Sequence, residues 1–365
     1  MFPQSKGNGD DDEDNDNENS TSSYDQTKYS NAMGAVASWA DKVRYTKAFA
    51  WTAPMHFIDI RDDLVPGGCP STSTPVVPTI EEVYKADYGE ESRSSDRHNG
   101  CTFSYDRDCV NGLCVANAIR TLSQRLFANQ TDIRGAFSNK YFHSKHEQPQ
   151  MMKQIRLLKG SSSTDQQPHL MNFTTRQSLM FLIHFVGDIH QPLHVSRKSD
   201  IGGNKFHVTF PKDNIGTEFN SYFANYFGWH QDRSHPYLIH KGWTLHSVWD
   251  TGMIEYQMKA EFNNSLSKYT SYIKDEYLID ENVEIWTKCS NGMNQTCVSN
   301  WAEESWDDSL HWAYGDEKGN EIHDGHLITK AYIDSRIPIV ESKLAAGGIR
   351  LAEILKRIFS KKFIN

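Results

Sequence analysis

Two pairs of residues, each four apart in the chain, carry the first chemistry: His184 with Asp188 in FLIHFVGDIH, and His246 with Asp250 in LHSVWD. Residues at i and i+4 of a helix project from one face, so each pair can aim an imidazole and a carboxylate at a common point. Both pairs lie among apolar residues, where a carboxylate or an imidazole is expensive unless something compensates. His194 follows the first pair past Pro192, and Trp39-Ala40-Asp41 and Pro54-Met55-His56 add two more polar side chains in apolar, Trp-rich surroundings. Imidazole nitrogen and carboxylate oxygen together suit zinc, and helical i, i+4 pairs converge on one ion. Taken singly, each feature reads as a core histidine or a hydrogen-bonded helical pair. Taken together, Asp41, His56, His184, Asp188, His194, His246 and Asp250 point to a metal centre.

The elements that must position these residues are mostly helices. Residues 174–190 are apolar nearly all round and end before Pro192, which marks a buried helix. In the following HVSRKSDIGGNKFHVTF, GGN supplies a turn and KFHVTF alternates, so a short hairpin is expected. Helical patterns also run from near Ala32, over residues 112–128, 243–262 and 298–314, and over 327–359 with a break or kink at Pro338. Residues 67–95 read as a loop apart from TIEEVYK, and residues 143–170 as a polar surface excursion. There is no repeat and no second core-sized unit. The expectation is an all-α fold, one mostly helical domain over residues 31–365, behind a disordered acidic tail over 1–30.

Composition limits the function classes. The chain has 365 residues, 38% hydrophobic and 23% charged, which is globular, and no run of about 18 apolar residues that could span a membrane. Of the net charge of −9, residues 1–19 hold −6, leaving a body of only −3. That excludes a basic nucleic-acid binder of the counterion-releasing kind, so anything that attracts phosphates here must be other than Lys and Arg. Of the six cysteines, Cys109 and Cys114 are close enough to close a small loop, and the other four are expected to pair over long range, Cys101 with Cys297 and Cys69 with Cys289. Asn-X-Ser/Thr sequons at Asn19, Asn129, Asn172, Asn263 and Asn294 join the cysteines in favouring an oxidising, secretory compartment. The first residues have no apolar segment of the signal-peptide kind.

FLIHFVGDIHQPLH with its following GGN, LHSVWD, WADKVR and HFID resemble the zinc-dependent single-strand-specific nucleases of fungi, plants and protozoa, the class I nuclease family. RDC with Cys109, CVANAI with Cys114 and SRIPIVESKLAAGGIRLAEILKRIF extend the resemblance from about Met33 to Ser360. The family is similar in fold to bacterial zinc-dependent phospholipase C. The resemblance implies three zincs. The first is held by Asp41, His56, His184 and Asp188, and the second by His194, His246 and Asp250. The third shares Asp188 and uses a mature N-terminal Trp with a nearby His. Here the first Trp is Trp39 and the first His is His56, so two sites are expected complete and the third lacks two of its ligand groups.

The implied reaction is hydrolysis of RNA and single-stranded DNA to 5′-phosphates, with 3′-nucleotides as further substrates. A hydroxide between the first and third zincs attacks phosphorus and the second zinc stabilises the leaving oxygen. Asp41 and Arg44 would be catalytic, with Arg44 on the transition state, and Phe57 and Asp59 would form a nucleobase pocket by stacking and hydrogen bonding. Asn204 would touch substrate, although a turn alone explains the glycines before it. His190 and Gln191 would support the ligands by hydrogen bonds. A secreted or lysosomal monomer without membrane contact is expected. Two other readings remain, a non-catalytic relative that keeps zinc as a structural staple and a phospholipase C-like phosphodiesterase.

Overall fold

Helices form where the apolar period demands them, and they build the core in the computed structural model, which describes residues 36–71, 101–128, 173–210, 243–289 and 293–360. In chain order the helices are α1 (Trp39–Val43), α2 (Tyr105–Asp108), α3 (Val115–Ala128), α4 (Thr175–His190), α5 (Leu245–Ser247), α6 (Met253–Glu261), α7 (Leu266–Tyr277), α8 (Asp280–Thr287), α9 (Gln295–Asp308) and α10 (Lys330–Phe359). The central one is α4. Thr174 caps it, its hydroxyl accepting from the Gln177 amide at 3.1 Å while the Gln177 side chain accepts from the Thr174 amide at 2.9 Å. Phe181, Leu182, Phe185 and Ile189 of α4 are fully buried, and α1, α3, α9 and α10 pack around them. No helix among the described residues is long and apolar enough to cross a membrane.

Among the described residues four short strands supplement the helices: β1 (Ile58–Ile60), β2 (Val195–Arg197), β3 (His207–Val208) and β4 (Trp243–Thr244). The hairpin expected over 194–210 does not form as such. Its first arm, β2, pairs in parallel with β1, with Ile58 opposite Val195 and Ile60 opposite Arg197. Its second arm, β3, pairs antiparallel with β4. Every residue of β2 is buried, so a solvent-facing hairpin would expose side chains that the β1 pairing covers. The turn between the arms holds three successive positive φ values, at Ile201, Gly202 and Gly203, fastened by the Gly203 amide donating to Asp200 Oδ1 at 2.6 Å.

Other expectations shift at their edges. Trp243 and Thr244 are strand rather than helix, because the Thr244 hydroxyl caps the helix beginning at Leu245. Of the break or kink expected at Pro338, the break is absent: the 30-residue α10, Lys330–Phe359, runs through it. Ile333, Ile337, Ile339 and Val340 are buried on either side, and Arg336 donates to the carbonyls of Trp312 and Gly315 at 3.0 and 2.7 Å, so tertiary contacts hold the helix across the proline. The helices α7 and α8, unread in the sequence, are held because Tyr277 and Trp286 bury against Ala345 and Ala346 of α10.

The disulfides are Cys109–Cys114, as expected, and Cys69–Cys101 and Cys289–Cys297. The expected Cys101–Cys297 and Cys69–Cys289 bridges are therefore replaced by bridges of shorter span, 32 and 8 residues. Trp306 Nε1 donates to the Cys101 carbonyl, which places Cys101 beside the far end of α9. Cys297 is in its first turn, nine residues or about 13 Å of helix away, beyond disulfide reach. The expected acidic tail, the start of the first helix near Ala32, the loop beyond residue 71 and the polar excursion at 143–170 lie outside the described residues.

Candidate metal centre

Helix α4 places His184 and Asp188 one turn apart, facing the end of the 3-10 turn Ala50–His56. His56 Nδ1 is 2.9 Å from Asp188 Oδ2 and 3.1 Å from His184 Nε2. Asp41 closes the group from α1, 3.6 Å from His56 and 3.5 Å from His184. That short helix is docked by Trp39, whose ring meets Phe181 of α4 and Phe49 edge-on. One ligand atom each from Asp41, His56 and His184 lies within 4.8 Å of the others.

His194, His246 and Asp250 form a second such group. Asp250 lies 3.4 Å from His194 Nε2 and 3.3 Å from His246 Nε2. The helix carrying His246 and Asp250 widens into a π turn at Val248–Gly252, a departure that clusters at functional sites. Asp188 reaches toward both groups, Oδ2 to His56 and His184 and Oδ1 to His194 at 3.6 Å.

Three of the histidines are oriented by main chain. His184 Nδ1 donates to Ala37 O at 2.6 Å, His194 Nδ1 to His56 O at 2.8 Å and His246 Nδ1 to Gly202 O at 2.7 Å. With the proton fixed on Nδ1, each Nε2 lone pair points into its cluster, as a metal ligand requires. Gln191 supports the second group, donating to Asp250 Oδ1 at 2.5 Å while its own oxygen accepts from the Leu193 amide.

The electrostatics ask for cations. Burial works against a charged His184, yet Asp188 and Asp41 overcome it and push the imidazole up to about 9. His194 is likewise pushed up to about 9 against its burial, by Asp188 and Asp250. Asp41 and Asp250 are held well below the usual carboxylate range by their imidazole partners, despite burial. His56 is lowered, chiefly by burial. Two ring nitrogens 3.1 Å apart between carboxylates need a proton or a metal between them. The nitrogen and oxygen donor set, with preset lone pairs, fits a metal ion of the zinc kind.

Around this centre, Arg44 Nε lies 3.4 Å from Asp41 Oδ1, and its guanidinium sits 5.6 Å over the Phe57 ring. Phe57 stacks on His194, centroids 4.8 Å apart and planes 28° apart. Asp59 is exposed on β1 opposite Ser196. Asn204 is exposed, and its amide donates to the Ile201 carbonyl within its own turn at 2.9 Å. Phe57, Arg44 and the seven metal-type residues thus converge, while Asp59 and Asn204 are exposed and are not brought into contact with the clusters.

Some of the supporting groups escaped the sequence. The carbonyls of Ala37, His56 and Gly202 are main chain and leave no residue-type signal. His190 is held by Arg350, whose Nη1 donates to His190 Nε2 at 2.8 Å and pairs with Glu304 at the same distance, all three buried. Arg350 inside the apolar GGIRLAEIL is the visible trace of that network.

Comparison with known proteins agrees in extent with this geometry. Endonuclease 3 of Arabidopsis thaliana is 27% identical over 335 residues, covering 90% of this chain and 78% of that protein. Nuclease P1 of Penicillium citrinum is 25% identical, covering 90% of this chain and 85% of that protein. Nuclease S1 of Aspergillus oryzae is 24% identical over 92% of this chain and 82% of its own length. The pattern of one family matches residues 13–360, which takes in the capped helix α4, both clusters and all of α10. The chain belongs to the S1/P1 nuclease family.

Proposed function

We propose that this protein is a zinc-dependent nuclease that hydrolyses phosphodiester bonds in RNA and single-stranded DNA, leaving 5′-phosphates and also accepting 3′-nucleotides. The observation that carries the reading is the pair of His/Asp clusters joined through Asp188, with Phe57 stacked on His194 beside them. Asp41, His56, His184 and Asp188 would hold one zinc, and His194, His246 and Asp250 another. Bound zinc supplies concentrated positive charge and an acidified water at neutral pH. That charge also answers how a chain of net charge −9 draws in a polyanion.

The protein's own groups do the rest. Arg44, fixed by Asp41 at the cluster edge, faces the phosphoryl oxygens and stabilises charge that grows on them. Phe57 offers a stacking face that only an unpaired base can reach, which gives the single-strand preference. Asp59 and Asn204, both exposed, take the base edge and the adjoining sugar-phosphate. Three disulfides together with the sequons support secretion or a lysosomal-type compartment, and a monomer suffices because one chain supplies every group named.

The deciding experiment measures zinc per chain together with hydrolysis of single-stranded DNA, with and without EDTA. Bound zinc with cleavage abolished by EDTA is the expected result. Bound zinc that raises the melting temperature without any cleavage would replace this reading with that of a zinc-stapled, non-catalytic relative. Cleavage of phosphatidylcholine in place of DNA would favour the phospholipase reading.

A further inference from the structure

Tyr45 is 67% exposed, the most exposed large hydrophobic side chain among the described residues, and it adjoins Arg44 at the edge of the metal centre. A lone exposed aromatic needs no explanation, but this one is built into its place. Arg44 Nη2 donates to the Tyr45 hydroxyl at 3.1 Å. The guanidinium lies 5.2 Å from the Tyr45 ring and 5.6 Å from the Phe57 ring, so the two centroids are no more than about 11 Å apart. The turn that presents Tyr45 is fastened on both sides: the Arg44 amide donates to Ala40 O, and the Thr46 amide and hydroxyl both donate to Val43 O.

A second observation is the local charge. From residue 42 to residue 58 the chain holds Lys42, Arg44 and Lys47 and no acid, within a chain of net charge −9. Both lysines are exposed, as is Tyr45 between them. Cations that follow a phosphate backbone, interleaved with an aromatic face, are the recurrent means of holding single strands without reading sequence.

We propose that Tyr45 is a second base platform, stacking an unpaired nucleobase next to the one at Phe57, on a strand whose phosphates are drawn by Lys42 and Lys47. The inference rests on the nuclease reading and deepens it: the substrate is bound through at least two bases, so the site favours strands over single nucleotides. Because the Tyr45 hydroxyl also touches Arg44, stacking must be separated from positioning of the guanidinium.

Two variants and two substrates do so. Tyr45→Ala removes the ring, whereas Tyr45→Phe keeps it and removes only the hydroxyl. The substrates are oligo(dT) and thymidine 3′-methyl phosphate, a diester with a single base. The expected result is that Tyr45→Ala lowers kcat/KM on oligo(dT) about 5- to 150-fold, mainly through KM. On the one-base diester it stays near wild type, and Tyr45→Phe stays near wild type on both. Equal losses on both substrates, or Tyr45→Phe as impaired as Tyr45→Ala, would assign Tyr45 to Arg44 and overturn the platform. An unchanged Tyr45→Ala would also overturn it.

Fluorescence anisotropy of a labelled, slowly cleaved phosphorothioate oligo(dT) on the zinc-loaded proteins reads the same contact with little turnover. Weaker binding by Tyr45→Ala alone supports the platform even if the wild type proves inactive, a result that would sink the nuclease reading separately. Equal binding by all three proteins in that assay overturns it.

Discussion

The main chain of His56 orients the side chain of His194: its carbonyl accepts from His194 Nδ1 at 2.8 Å. A residue of one cluster thereby sets the tautomer of a residue of the other. The parallel pairing of β1 with β2 begins just beyond both residues, with Ile58 opposite Val195, and holds the two backbones in register. Asp188 closes the circuit by reaching both clusters. The two clusters are one mechanical unit, which has consequences for metal loading.

Asp188→Asn keeps the size and removes the shared negative charge. Zinc per chain after dialysis is expected to fall by more than one, because both clusters lose a counter-charge. Activity on single-stranded DNA is expected to fall at least ~100-fold. Metal analysis alongside the rate checks this. Loss of a single zinc with the remaining one bound as tightly as in the wild type would show that the clusters load independently.

Gly202 has φ +56°, and a Cβ there would sit 2.2 Å from the Leu193 carbonyl oxygen. Its own carbonyl anchors His246. Gly202→Ala must therefore shift backbone, at a cost of more than ~1 kcal/mol, and His246 moves with it. Zinc affinity at the second cluster is expected to drop on the order of 10- to 100-fold. Gly187→Ala is the comparison, since nothing lies within 4 Å of its added carbon. It should raise stability by about 0.5–1 kcal/mol. Thermal melts in EDTA and in zinc, run on both variants, distinguish a local metal effect from general unfolding.

Arg350 and Glu304 form a buried ion pair that also grips His190, two residues beyond Asp188. Arg350→Met removes the cation that pairs with buried Glu304, and should cost about 3–5 kcal/mol. Adding Glu304→Gln removes the buried carboxylate charge and should restore part of that loss. Denaturant melts of the single and double variants give the comparison. A double variant as unstable as the single one would mean that packing around Gly347 and His190, and not charge, sets the cost.

The seven metal-type residues were legible because polar groups stood out in apolar helices such as FLIHFVGDIH. The helix α4 was legible to within a residue because its apolar run ends before Pro192, and the structure adds the capping box of Thr174 and Gln177 at its start. What escaped depends on distant partners. Whether β2 finds β3 or β1 is decided by burial across about 135 residues of chain, which local alternation does not encode. Cysteine pairing depends on where α9 lies relative to Cys101. The continuation of α10 through Pro338 is a tertiary effect that overrides a local preference. Tyr45 went unread because exposure and neighbours, not residue type, make it notable.

Glu255 on α6 is buried, and neither of its carboxyl oxygens has a hydrogen-bond partner among the described residues. Burial pushes its carboxyl up to about 8, from 4.5 when unperturbed. Below pH 4.5 both the folded and unfolded chains hold the proton, and the residue has no effect on stability. Between pH 4.5 and 8 the unfolded chain gives the proton up while the folded one keeps it, so stability falls as pH rises. Above pH 8 the full penalty of a buried charge applies. Glu341 is pushed up as well, to about 7, and acts in the same direction, so the wild-type profile alone does not isolate Glu255. A comparison with Glu255→Gln does, in EDTA so that metal binding adds no pH dependence. The variant and wild type are expected to match at pH 4.5, and the variant to be more stable by roughly 2–4 kcal/mol at pH 8. A constant difference across that range would mean that Glu255 is ionised in the folded protein throughout and is solvated by a route other than hydrogen bonds within the chain.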